Sequence, residues 1–366
     1  MTATTEPSSE PVHQEPGEFA APSRTWVQRL GFDRYSALYL WAGFMFVFRF
    51  TQTEFLTWTS INLVLTEKAI VAMLALAFLV PLVADTFDLS IGVMMGFSVA
   101  ITTALAQNTG NPQALNALIA VLACAGVGFV SGFIVVKLNV NSFIATLGMS
   151  QVLVAANILI SGNRTINGVL SDAYRDFGRT KLLGLPLYFY FMIVVALIVW
   201  YVLEQTPLGR YLFATGGNLE AARLSGLRTD LYRWGTLVAS AVIASFAGLI
   251  HTWKVGTYSS SIGPGFLFPA VAAVFFGASQ LKGRPNVWGT LIAVYALAFG
   301  VKGLQLTFTS GTAWIEPLFE GVSLLIAVAL ASRQGVIKVP KRKKREGTGA
   351  DVAPGSPARP ASDVAL

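Results

Sequence analysis

The chain has 366 residues, of which 12% are charged and 54% apolar before 34 glycines are counted, and its mean hydropathy is +0.60. A soluble domain carries roughly 25% charged residues, so the composition excludes a water-soluble globule, a disordered chain and a nucleic-acid binder, and it reads as a polytopic membrane protein. The formal charge of +7 does not describe a basic surface, because 26 Lys and Arg stand against 19 Asp and Glu and much of the excess lies in one run, Lys338 to Arg345.

The first 24 residues are rich in Pro, Glu, Ser and Thr and contain no apolar core of a cleaved signal. They predict a disordered N-terminal segment over 1–33. A transmembrane domain is expected over 34–333. About 20 apolar residues cross a bilayer core as a helix, and no Asp, Glu, Lys or Arg occurs from Leu89 to Val136, Leu138 to Asn163, Leu182 to Leu203, Trp234 to Trp253 or Val255 to Leu281. Polar breaks such as Gln107-Asn108-Thr109-Gly110-Asn111-Pro112 divide the longer runs. The fold class is therefore all-α, with about ten spans: 35–50, 62–84, 89–107, 114–136, 139–161, 187–203, 234–253, 266–280, 286–304 and 314–331. Residues 334–366 predict a basic, disordered tail. Its Lys341–Arg345 run reads first as a topology determinant and second as a contact for anionic membrane lipid.

Lys and Arg near span ends set orientation. Arg24, Arg29 and Arg34 before the first span, and Arg333 with the tail after the last, place both termini in the cytoplasm and require an even number of spans. Lys137, the 204–233 loop, Lys282 and Arg284 then fall on the same side. The 162–186 loop is in tension with this assignment, since it carries Arg164, Arg175, Arg179 and Lys181 on the opposite side.

Two spans carry signs of interruption. One follows Asp88-Leu89-Ser90-Ile91-Gly92 and continues with Gly96; the other follows Ser261-Ile262-Gly263-Pro264-Gly265 and contains Pro269. Unwound backbone survives in a membrane only beside protein or water, so paired interruptions in two halves point to a solute pathway. These are spans three and eight, five apart and of opposite direction, as an inverted 5+5 repeat requires. Asp88 is expected to cap the helix that follows it, and the same residue could line the pathway. Lys68, Lys302, Glu316 and Glu320 read as snorkelling residues near span ends.

The 204–233 loop runs Thr206-Pro207-Leu208-Gly209-Arg210, then Ala214-Thr215-Gly216-Gly217-Asn218-Leu219-Glu220-Ala221-Ala222-Arg223-Leu224-Ser225-Gly226. Asn218 suits an N-cap, Glu220 the positive first turn and Gly226 the stop, so a helix of about two turns is expected, able to dock on a soluble partner or simply to lie on the surface. The chemistry of an enzyme is missing: there is no P-loop, no H-E-x-x-H, no C-x-x-C and no G-x-S-x-G. The one cysteine, Cys124, permits no intrachain disulfide, and the histidines are only His13 and His251. No metal or cofactor is expected on this chain.

Phe87-Asp88-Leu89-Ser90-Ile91-Gly92 resembles an Ile-Asp-Leu-Ser-Val-Gly motif, and Asn141-Ser142-Phe143-Ile144-Ala145-Thr146-Leu147-Gly148-Met149 resembles a Pro-Phe-Ile-Ala-Thr-Leu-Gly block. The Thr206–Gly226 loop, Ala270-Val271-Ala272-Ala273-Val274 with Gly277, and Trp288-Gly289-Thr290-Leu291-Ile292 complete the set in order over about 60–330. Together they resemble the membrane-spanning permease of ATP-binding-cassette importers in the branched-chain amino-acid and monosaccharide superfamily. The resemblance implies no catalysis on this chain. It implies partners: a second permease chain, a cytoplasmic ATPase that uses the ATP, and an extracytoplasmic solute-binding protein, at a bacterial plasma membrane. It makes Gly216, Gly217, Asn218, Glu220, Ala221, Arg223, Ser225 and Gly226 the ATPase-coupling element. Asp88, Ser90, Gly92, Phe143, Thr146, Gln151 and Asn157 become candidate pathway residues for a monosaccharide or another neutral solute. Three departures stand out: Asp85-Thr86 replaces Gly-Gly, Phe266-Leu267-Phe268-Pro269 replaces an acidic, polar approach, and the glycine-rich turn is reduced to Leu281-Lys282-Gly283-Arg284-Pro285-Asn286. The alternative is an ion-coupled secondary transporter or channel that uses Asp85, Asp88 or His251 and needs no ATPase.

Overall fold

A computed structural model describes residues 32–167, 169–280, 284–308 and 311–333. The expected N-terminal segment up to residue 31, the basic tail from 334 and Lys282 lie outside them. The described residues form α1 (Phe32–Thr51), α2 (Trp58–Glu67), α3 (Ala69–Val83), α4 (Ile91–Asn108), α5 (Gln113–Lys137), α6 (Ser142–Ser161), α7 (Asp172–Arg179), a two-residue hairpin β1–β2 (Lys181–Leu182 and Leu185–Pro186), α8 (Leu187–Trp200), α9 (Pro207–Gly217), α10 (Leu219–Leu224), α11 (Thr229–Lys254), α12 (Pro264–Gln280), α13 (Val287–Thr307) and α14 (Ile315–Arg333). Each of the ten expected spans has its helix. Seven of these helices, counting α2 with α3 and the π-turn Tyr201–Gln205 with α8, are long and apolar enough to cross a membrane, and α12 is a shorter apolar helix.

The helices differ sharply in burial. Every residue of α3 is buried, so a helix that is apolar all round becomes the axis of the bundle. The α2–α3 window has mean hydropathy 2.2 and is 78% buried, whereas α6, at 1.9, is only 22% buried and lies at the edge. Helix α11 packs on α3, α4 and α5, and α12 packs on α3, α13 and α14. Numbered as spans, three packs on four and five while eight packs on nine and ten, and two and seven pack on each other. The neighbour pattern thus repeats with a shift of five.

Two expectations change. Lys68 does not snorkel from a span end. It sits at the joint between α2 and α3, forms an ion pair with Glu316 of α14, and lies 3.9 Å from Glu320; at 17% side-chain exposure, a cation needs such partners. Two arginines of the 162–186 loop, Arg175 and Arg179, also have structural work. Arg179 donates from Nε to the Trp253 carbonyl at 2.8 Å, at the C-terminus of α11 where carbonyls lack helical partners, and Arg175 pairs with Asp172 at 2.5 Å.

Candidate functional site

The chain leaves α3 through Ala84 and turns at Asp85, whose φ is 53°. It then runs without helical hydrogen bonds until α4 begins at Ile91. Bare backbone inside a bundle requires partners, and side chains supply them. The Phe87 N–H donates to Ser142 Oγ at 3.0 Å, and the Leu89 N–H donates to Thr146 Oγ1 at 3.1 Å. Asp88 is 2% exposed, and its Oδ1 accepts from the Ser90 N–H at 3.0 Å and from Ser90 Oγ at 2.6 Å. The buried Ser240 hydroxyl of α11 faces the same carboxylate without reaching hydrogen-bond geometry.

Beyond the break, α4 meets the other interrupted segment. A Cβ added to Gly92 would stand 2.5 Å from the Gly263 carbonyl oxygen, and one on Gly96 would stand 2.7 Å from that of Ile262. Gly263 has φ +118°, a conformation that side chains rarely adopt. The two interruptions therefore cross backbone to backbone. Asn157 of α6 closes over this crossing: it is 4% exposed, its Nδ2 reaches the Val93 carbonyl at 3.5 Å, and its buried Oδ1 has no partner among the described residues. The turn before α12 is held by a two-way backbone bridge between Ile166 and Tyr258, each N–H···O 3.0 Å.

Among the candidate pathway residues, Gly92 and Asn157 lie at this crossing, while Asp88, Ser90 and Thr146 sit before it, at the break. Thr146, expected as a polar liner, is fully buried, with its hydroxyl committed to backbone. Phe143 (49% exposed) and Gln151 point away from the chain on the outer face of α6. Ser142, which shares the work of Thr146, escaped the sequence reading as a site residue. Its signal was its i−4 spacing from Thr146, which puts both hydroxyls on one helix face.

Between Thr206 and Gly226 the chain folds as two helices, α9 preceding the expected one. Pro207 opens α9 in the first-turn position that tolerates it. Asn218 then caps α10, its Oδ1 accepting from the Glu220 and Ala221 N–H groups at 3.1 Å each. Gly226, at φ +82°, ends the segment. Arg223 donates to Thr229 Oγ1 at 3.0 Å and pairs with Asp230, and Ser225 Oγ donates to the Ala221 carbonyl at 2.8 Å. Ala222 is buried, while Glu220 is exposed and Leu224 is 90% exposed at the tip. The break is touched by Gly216 of α9 and by Arg233 in the first turns of α11. Gly216 lies so close to the Val83 carbonyl that no side chain fits between them, with Asp85 N next to the same point, and Arg233 Nε donates to Thr86 Oγ1 at 3.2 Å. Gly217 follows at the end of α9.

Among the described residues, no group of three or more His, Cys, Asp or Glu is placed to hold a metal ion. Residues 60–330 match the family described as branched-chain amino acid transport system / permease component. A ribose import permease protein of Escherichia coli strain K12 is 31% identical over 289 residues, covering 77% of this chain and 88% of that protein. A fructose import permease protein of Rhizobium meliloti is 30% identical over 294 residues, 78% of this chain and 81% of its own. An autoinducer 2 import system permease protein of Yersinia enterocolitica is 29% identical over 245 residues, 64% and 65% respectively. No solved structure matches the chain.

Proposed function

The chain belongs to the branched-chain amino acid transport system / permease component family, and on that premise we propose that it is the multi-pass permease subunit of an ATP-driven importer for a monosaccharide or similar neutral solute. The relatives named for ribose and fructose import support the solute class. The α9–α10 loop faces the cytoplasm with both termini and docks an ATPase that supplies the hydrolysis, while an extracytoplasmic binding protein delivers the solute. Two permease copies flank the pathway. The exposed Phe143 and Gln151 support that pairing, because an amide on the open face of a membrane helix gains from a partner or a water-lined path.

One observation carries the mechanism: the loop touches the break. A displacement of α10 by the ATPase reaches the end of α3 through Gly216 and Val83, and reaches Thr86 through Arg233. The break between Thr86 and Ser90 has backbone amides held by side chains rather than by a helix ladder, so it can rearrange without unwinding either neighbour. The crossing of Gly92 with Gly263 then transmits the change to α12.

The test is a tagged purification from native membranes in mild detergent, followed by sugar uptake in vesicles. A co-purifying P-loop ATPase and uptake that stops when ATP is removed are expected. A chain that purifies without an ATPase, and whose uptake collapses with the ion gradient instead, would establish the ion-coupled alternative.

A further inference from the structure

At the end of the bundle opposite the α9–α10 loop lies a cavity of about 430 Å³. It opens between the α2–α3 joint, the end of α11, the start of α12 and the start of α14, and is lined by Glu67, Lys68, Lys254, Phe266, Glu316 and Glu320. Its volume falls within the roughly 300–1,000 Å³ of small-molecule sites. Beneath it, Lys68, Val71, Pro269 and Glu320 also line a gap of only about 20 Å³ that continues between α3, α12 and α13. The wide chamber thus narrows to a neck at Lys68 and Glu320. Ionisable groups gathered in a chain this apolar are costly, and such groups usually serve a solute path.

We propose that this chamber is a binding site for a neutral polyhydroxylated solute, placed ahead of the broken-helix crossing. Three carboxylates and two ammonium groups nearly cancel, so a net ion gains little there. A hydroxyl group gains on both counts, donating to a carboxylate and accepting from an ammonium. Phe266, Val71 and Pro269 add an apolar wall against which the C–H face of a sugar ring packs. Phe266 lies three residues after Gly263, so a solute held here sits beside the crossing with Gly92. Lys68, bound to Glu316 and near Glu320, closes the neck, and solute hydroxyls that compete for those carboxylates loosen it. The inference rests on the proposed function only for its choice of probes and for the side of the membrane on which the chamber opens.

The chain itself provides the test, because its single thiol, Cys124, is fully buried. Ala313, an exposed residue on the chamber wall, is replaced as Ala313→Cys in the full-length chain and labelled in intact cells with a membrane-impermeant maleimide, with or without ribose, fructose, allose or galactose. Labelling from outside is expected, slowed several-fold by at least one sugar, with the protection lost when Glu67→Gln and Glu316→Gln are added. Failure to label from outside, labelling that no sugar slows, or protection that survives both glutamine substitutions would each overturn the site. Uptake by the unsubstituted transporter is measured in parallel. Protection without ATP-dependent uptake would sink the importer reading and leave the site standing.

Discussion

The Thr146 hydroxyl accepts the Leu89 N–H at 3.1 Å while donating to the Ser142 carbonyl one turn back at 2.8 Å. One side chain therefore belongs to two structures at once, the regular helix α6 and the irregular entrance to α4. Thr146→Val keeps the shape and removes the acceptor, and a buried amide left without a partner costs about 1–3 kcal/mol. Thermal unfolding of the purified chain in detergent is expected at a clearly lower temperature for Thr146→Val and lower again with Ser142→Ala, whereas Thr146→Ser stays near the parent.

Asp88 separates a structural carboxylate from an ion-coupling one. Its Oδ1 accepts two bonds from Ser90, and the amide oxygen of Asn can accept the same two. Asp88→Asn is expected to retain ATP-driven uptake, and Asp88→Leu to lose it together with stability. Loss of uptake in a stable, well-inserted Asp88→Asn protein would show that the charge itself is needed.

Gly216 has no room for a side chain against the Val83 carbonyl. Overpacking costs about 1–3 kcal/mol, and here the strain falls on the joint between loop and break. Gly216→Val is expected to insert in membranes and to bind the ATPase, with uptake reduced by an order of magnitude or more. Equal uptake by this variant and its parent, compared at matched expression, would remove the contact from the mechanism.

Glu220 is exposed in the first turn of α10, where its charge complements the positive helix end by about 0.3–1 kcal/mol. Glu220→Arg reverses that charge without disturbing a buried contact. ATP hydrolysis that continues while uptake falls is the expected outcome, read by comparing the two rates in the same vesicles. Normal coupling would exclude the loop as the docking element.

Much of this architecture is legible along the chain because its signals are local. Charge-free runs mark the helices, Asn218 and Gly226 bracket α10, and the glycines after Asp88 mark the interruption. Helix α9 is not expected from the sequence: Pro207 suits its first turn, but Gly209 and the Gly216-Gly217 pair weaken helix propensity within eleven residues, and its packing against distant residues decides the matter. The remaining features depend on distant partners. Mean hydropathies of 2.2 and 1.9 do not reveal that α3 is the axis and α6 the rim, because lipid and protein interior favour the same side chains. Lys68 finds Glu316 across 248 residues, and Gly216 finds Val83 only once α9 has folded. Thr146 looked like a pathway liner because a hydroxyl in a span serves equally to face a solute or to cap a neighbour's backbone.

Two of the contacts between the 207–233 segment and the break differ in kind. Gly216 approaches the Val83 carbonyl too closely for any side chain, so steric contact there resists compression. Arg233 Nε donates to Thr86 Oγ1, and a hydrogen bond also bears tension. The joint is therefore built of unlike materials, a hard stop beside a tether.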